Sequence, residues 1–369
     1  MSRPVLYVAV TNHGFGHAVR VASVVAEIQR LNPDVLVAMV TTAPRWLLES
    51  YIEGDFLYRP RALDVGVVQS DSLNIDRDAT LEKLQDIRRR QNDLIAAEVN
   101  FIRLNNVKLV LADIPPLAAK IARVAGVPGW MMSNFGWDFI YRDWGGEFLE
   151  IADWIRECFQ QCDRLFRLPM HEPLAAFPHV TDTGLTGGTP RYSIDELQQL
   201  LGITAPRDRT ALLSFGGLGL QKIPYRVLEH FPDWLFLTFD ANAPDLPNLV
   251  KLLDIERRME RSQRIRPVDV MPLCDRVVSK PGFSTFAEAM RLEVPVVSLT
   301  REGFAEAQLL LDGLQNRAPH QIISHEEFLA GNWDFLRQPL KPPKTPHRFA
   351  KDGNETIARA VVEYFEKQA

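Results

Sequence analysis

The sequence predicts an α/β protein of two domains, each a parallel sheet with helices on both faces, facing each other across a cleft. Three observations carry this reading. The chain has 369 residues, too many for one ordinary core and about right for two. Short apolar runs alternate with helical patterns, the rhythm of βαβ units. That rhythm breaks at "TGLTGGTPRYS", residues 183–193, and then restarts.

In the first half, "VLYVAV", "DVLVAMVT", "VKLVLAD", "GWMMSN" and "RLFRLP" read as strands. They are bounded by turn residues and mostly apolar, as strands buried on both faces should be. Residues 19–31, about 79–104, 116–124 and 147–162 carry the helical period between them. In the second half "TALLSF", "WLFLTF", "RIRPVDVM", "RVVSKPG" and "VPVVSL" read as strands, and "TFAEAMRL" as a helix. Residues 354–367 predict an amphipathic terminal helix. The expected division is 1–185, 186–350 and a terminal segment 351–369.

Composition is that of a globular protein, 46% apolar and 24% charged. The net charge of −5 provides no field that would draw the chain to nucleic acid or anionic lipid. The "RRR" run at 88–90 reads as a solvated helix face. Three cysteines, Cys158, Cys162 and Cys274, argue against a disulfide framework and for a reducing compartment. Cys158 and Cys162 have metal-ligand spacing, but no further Cys/His cluster completes a site, so no metal is expected. With no signal segment and no bilayer-long apolar run, the expected location is the cytoplasm, with peripheral membrane contact left open.

The chemistry is expected at the glycine turns, because ligands of open parallel sheets bind beyond the carboxyl ends of strands. "TNHGFGHAVR", residues 11–20, follows the first strand and opens a helix. A dinucleotide fingerprint fails there: Gly14 and Gly16 give G-x-G, but Val19 occupies the third glycine position. A phosphate loop ending in Gly-Lys-Ser/Thr and a G-x-S-x-G elbow are also missing. What remains is His17 in the first turn of a helix, where the macrodipole disfavours imidazolium and keeps the ring neutral. A neutral histidine at the mouth of a cleft suits proton abstraction from a hydroxyl. For His13, a turn-stabilising or acceptor-contact role fits as well as chemistry does. In the second half, "SFGGLG" (214–219) offers free backbone N–H groups, and "SKPGFSTFAEA" (279–289) turns into a helix. Ser284 and Thr285 lie near that helix start, where a diphosphate is attracted. Glu288, one turn in, is placed to accept ribose hydroxyls.

The G-x-G-H entry, the "PGFSTFAEA" segment and the paired Rossmann-like domains resemble the GT-B glycosyltransferases. The second half is similar to family 28. A closer resemblance, through "HGFGHAVR", "GVVQSDSLNID", "NFGWDFIY", "RLPMHEPLAAFP" and "VDVMPLCDRVVSKPGFSTFAEAM", is to the glycosyltransferase-like N-terminal half of plant L-arabinokinase. The kinase half, with its glycine/serine-rich ATP loop, is not expected in a chain ending at Ala369. The resemblance implies an inverting transferase with His17 as base. It places a hydroxyl acceptor on the first domain and a nucleotide-sugar, by resemblance a UDP-sugar, on the second as substrate rather than cofactor. It implies donor contacts at Gly216, Gly217 and Gly219, at Val270 and Met271 for the nucleobase, and at Gly282, Ser284, Thr285 and Glu288. Glu306 and Gln308 fall where relatives contact the sugar. The terminal helix would cross back to the first domain.

On the acceptor side the candidates are His13, Gly14, Gly16, Asn134, Trp137 and Asp71. Trp137 is placed to stack on a ring, and Asp138 to orient His17 or bind a hydroxyl. Asp113 ends a strand and is read as a helix cap. Two rival readings stay open: a nucleotide-sugar 2-epimerase of the same fold, and a non-catalytic sugar-nucleotide-binding module.

Overall fold

The structure, a computed structural model, describes residues 3–69, 73–217, 219–257 and 264–368. In the first half the strands are β1 Val5–Val10, β2 Leu36–Val40, β3 Phe56–Arg59, β4 Val68–Gln69, β5 Ile75–Asp76, β6 Val107–Asp113, β7 Gly129–Ser133, β8 Arg164–Arg167 and β9 Val180–Asp182. In the second half they are β10 Thr210–Leu213, β11 Leu235–Thr238, β12 Leu249–Lys251, β13 Arg276–Ser279, β14 Val296–Leu299 and β15 His320–Ile323.

Among the described residues, one sheet runs β3-β2-β1-β6-β7-β8-β9 and a second runs β12-β11-β10-β13-β14-β15. Every pairing in both is parallel. β4 and β5 form a short antiparallel pair. β1 shows why a central strand reads as continuously apolar. Its alternate residues serve two cores: Leu6, Val8 and Val10 pack on one face, and Val5, Tyr7 and Ala9 on the other. The first of these cores continues into the second domain, through the Gly16–Leu31 helix to Phe286 and Leu212.

The strand orders position the site. In the first sheet the order reverses between β1 and β6, and in the second between β10 and β13. Loops leave such a pair in opposite directions and open a crevice at the carboxyl ends. The β1 turn and Asp113 lie at the first switch point. Residues 214–219 and the turn after Ser279 lie at the second.

One expected strand is a helix instead. Within "RIRPVDVM", Pro267–Val270 is helical. Pro267 sits in the first turn, where its fixed φ is favourable, and Asp269 bonds back to the Arg266 N–H at 2.9 Å. The short edge strands β3, β9, β12 and β15 have no counterpart among the expected strands.

The 183–193 stretch is a packed strap. The Arg291 guanidinium donates to the Gly187 and Gly188 carbonyls, and Asn354 Nδ2 donates to Gly187 O at 2.8 Å. The terminal helix Gly353–Glu366 packs on the Gly16–Leu31 helix, and Tyr364 donates to Lys108 O at 3.1 Å. A Cβ on Gly353 would meet the Leu185 carbonyl carbon at 2.9 Å and the Gly184 carbonyl more closely still. Gly353→Ala should therefore cost about 1–3 kcal/mol, the usual price of overpacking. Urea unfolding measures it; unchanged stability would mean that the strap gives way.

Candidate active site

The Gly16–Leu31 helix starts at the β1 turn with no side-chain cap on its first N–H groups. The Phe283–Arg291 helix, after β13, also starts without one. The two starts meet: Ser284 Oγ donates to Gly16 O at 2.7 Å. Two uncapped helix N-termini thus converge, which makes the space between them attractive to an anion.

That space is a cavity of about 110 Å³, lined among others by His13, His17, Gly16, Gly282, Thr285, Lys280, Arg301 and Glu306. It shares Phe15, Gly16, Gly216, Gly217, Ser284 and Thr285 with a second cavity of about 1260 Å³. The large cavity is walled by residues of the β10 loop, Tyr225, Asp240 and residues 264–267. Gly216 and Gly219 hold φ of 78° and 66°, in the left-handed region that favours glycine. Gly217 lies so close to the Phe15 ring that a Cβ has no room.

His17 is buried, and its Nδ1 lies 3.1 Å from Asp113 Oδ1. The register pairs Val10 with Asp113, so β6 delivers this carboxylate beside the β1 turn. Asp113 also receives Arg20 Nε at 2.5 Å and Nη2 at 2.6 Å. Burial alone would raise the Asp113 carboxyl; the Arg20 guanidinium, with the contact to His17, outweighs it and holds it below the ordinary carboxylate value. Asp113 is therefore no helix cap. Pro116 precedes the Leu117–Ala125 helix without a side-chain cap.

Asp138 does not take the role expected of it. Asp113, and not Asp138, pairs with His17; Asp138 is buried in the first turn of the Trp137–Trp144 helix, and burial beside Glu172 raises its carboxyl to about 6. Trp137 is only 1% exposed and belongs to the first-domain core, so it offers no open ring face for stacking. It packs edge-on to His13 and Phe135, and its Nε1 donates to Thr11 Oγ1 at 2.9 Å. Thr11 in turn donates to Asp64, a buried carboxylate that also accepts Asn12 N–H at 2.8 Å. Asn134 is fully buried and joins the domains, accepting from Arg20 Nη1 at 2.7 Å and donating to Glu306 Oε1 at 2.8 Å.

His13 stacks on Phe304 at 5.7 Å and lines the small cavity, where its Nδ1 has no hydrogen-bond partner among the described residues. Burial, with His17 and Arg301 nearby, lowers its pKa well below the ordinary value. Gly14 takes φ 57° in the turn. Asp71 lies outside the described residues.

On the donor side two expected contacts move. Val270 and Met271 are fully buried, and the large cavity is lined instead by residues 264–267 of the same segment. Gln308 is exposed, lines neither of the two cavities, and donates to Asp312 at 2.8 Å. Glu288 lines the large cavity, but its Oε1 is held by the strap, accepting Gly188 N–H at 2.9 Å and Tyr51 OH at 3.4 Å. Burial raises its carboxyl to about 7, against the pull of the Gly188 N–H, Arg266 and Arg291.

This shift fixes a pH dependence. A carboxyl raised from 4.5 to about 7 stabilises the fold below 4.5 and loses that contribution as pH rises through 7. Glu288→Gln, which keeps an acceptor for Gly188, should remove this component and raise stability at pH 8 by at most about 3 kcal/mol. Thermal melts of both proteins between pH 4 and 8 check the sign.

Lys280 and Arg301 are residues that sequence reasoning did not single out. Burial first, and then Arg301, pushes the Lys280 ammonium down to about 7. A lysine directly before the Pro-Gly turn was the available signal. Arg20, one cation three residues after His17 in an otherwise apolar helix stretch, was another.

No family model matches the chain. L-arabinokinase of Arabidopsis thaliana is 32% identical over 364 residues, covering 96% of this chain and 34% of that protein. The chain thus spans about a third of the length of this curated relative. The glycotransferase of kitacinnamycin superposes with a TM-score of 0.62 at 13% identity, covering 99% of both chains. An anthocyanidin 3-O-glucosyltransferase in complex with UDP gives 0.57 at 12% identity over 98% of this chain and 95% of that one. A transferase from Siraitia grosvenorii in complex with UDP gives 0.51 at 15% identity, covering 97% and 94%. The fold is GT-B: two Rossmann-like domains with parallel sheets facing a cleft.

Proposed function

We propose that the chain is an inverting glycosyltransferase that uses a UDP-sugar donor and a hydroxyl acceptor, with His17 as general base. The observation that carries the reading is the His17–Asp113 pair facing the uncapped start of the Phe283–Arg291 helix across one small cavity. Further support comes from the L-arabinokinase relative and from UDP in structures of the same fold.

In this reading the nucleotide occupies the large cavity and its diphosphate reaches the shared wall at Gly216, Gly217 and Thr285. His17, as the Nδ1–H tautomer, donates to Asp113 and presents a bare Nε2. The acceptor hydroxyl gives its proton to Nε2 as its oxygen bonds the anomeric carbon. The bond from that carbon to the diphosphate breaks, and the electron pair leaves on the diphosphate. Backbone N–H groups of the helix start, with Lys280 and Arg301, stabilise the leaving charge. Asp113 stabilises the imidazolium formed. Residues 1–185 would bind the acceptor, 186–350 the donor, and 351–369 brace the pair.

Titration calorimetry with UDP, GDP, ADP and dTDP tests the donor reading, with UDP expected to bind most tightly. Absence of nucleotide binding would sink it. Product analysis with a UDP-sugar alone separates transfer from epimerisation, since an epimer formed without acceptor contradicts transfer.

A further inference from the structure

Arg20 is 1% exposed and lies at the centre of a buried chain of hydrogen bonds that crosses the domain boundary. Its Nε and Nη2 occupy both oxygens of Asp113. Nη2 also lies 3.0 Å from His17 Nδ1 and 3.1 Å from Ser133 Oγ. Nη1 donates to Asn134 Oδ1, which turns the Asn134 amide nitrogen toward Glu306. Glu306 is the first residue of the Glu306–Arg317 helix of the second domain, where the macrodipole favours a carboxylate. The Phe283 ring, also from the second domain, lies 5.0 Å from the Arg20 guanidinium.

We propose that Arg20 is a positioning residue that sets the protonation of His17, and that Asn134 and Glu306 couple the donor domain to it. The inference rests on the reading of His17 as the base. A fixed cation 3.0 Å from Nδ1 opposes imidazolium, while Asp113 favours it. The Arg20 fork shares the Asp113 carboxylate with His17, so the imidazole is oriented by a charge that is already partnered. The other titratable groups around His17 are Asp64 and His13 of the first domain, with Lys280 and Arg301 near His13 on the small cavity. Because the second domain reaches Arg20 directly through Phe283 and indirectly through Glu306 and Asn134, docking of that domain completes the surroundings of the base.

The test follows the His17 imidazole by long-range proton–nitrogen NMR in the full chain labelled at histidine. Without ligand, Arg20→Met should raise the His17 titration midpoint by about one pH unit or more, the scale of losing one adjacent charge. Arg20→Lys should fall between, since a lysine keeps the charge but not the fork. An unchanged midpoint overturns the role of Arg20; if Arg20→Met does not fold, Arg20→Lys decides. With UDP as probe, wild type should shift its His17 resonances and Asn134→Ala should lose that response. A retained response in Asn134→Ala, or none in wild type, overturns the coupling. If calorimetry finds no UDP binding, the donor reading fails, and the role of Arg20 still stands or falls on the ligand-free titration.

Discussion

His17→Ala is expected to lower the transfer rate by about 100-fold or more, the usual scale for loss of a general base. Release of UDP, measured with the sugar donor and hydroxyl acceptor that support turnover, gives the rate. UDP affinity should change little, because His17 lines the small cavity and not the larger one that would hold the nucleotide. His17→Gln, which can keep a bond to Asp113 but takes no proton, should be as slow. Near-full turnover in either variant would contradict base catalysis by His17.

The largest effect on stability is expected at Asp113. Asp113→Ala removes the carboxylate that receives both Arg20 Nε and Nη2 and leaves a guanidinium buried without its charge partner. Breaking such a pair from one side costs about 3–5 kcal/mol. Replacing both partners, Asp113→Ala with Arg20→Met, should recover a large part of that loss, because the uncompensated charge is gone. Urea unfolding of the two single variants and the double variant completes the cycle. A double variant as unstable as the sum of the singles would show that the two side chains act independently.

The large pieces of this molecule were legible because they rest on local patterns. Continuous apolar runs such as "VLYVAV" mark strands covered on both faces, and glycine turns mark their carboxyl ends. The pairing of His17 with Asp113 was not legible, since it depends on β6 lying next to β1, a strand order that no local pattern records. Asp138 has the right chemistry and lies after a strand, but it is buried beside Glu172, while Asp113 is the carboxylate delivered to His17. Trp137 illustrates the same limit: an aromatic residue at a strand end fits a ligand platform, and here it is drawn inward by Thr11, Phe135 and Tyr141. Val270 and Met271 missed the large cavity by a few residues because Pro267 starts a helix where a strand was expected. Edge strands such as β12 and β15 are too short to show a period.

The most direct test of the account is a crystal structure of the chain with UDP bound. The account predicts the uridine in the large cavity and the diphosphate within hydrogen-bond distance of N–H groups at residues 282–285, close to Lys280. The His17 imidazole should face the terminal phosphate from the other domain, leaving room between them for a sugar carbon. A diphosphate bound away from the Phe283–Arg291 helix start, or one that leaves His17 on the far side of a closed wall, would contradict it.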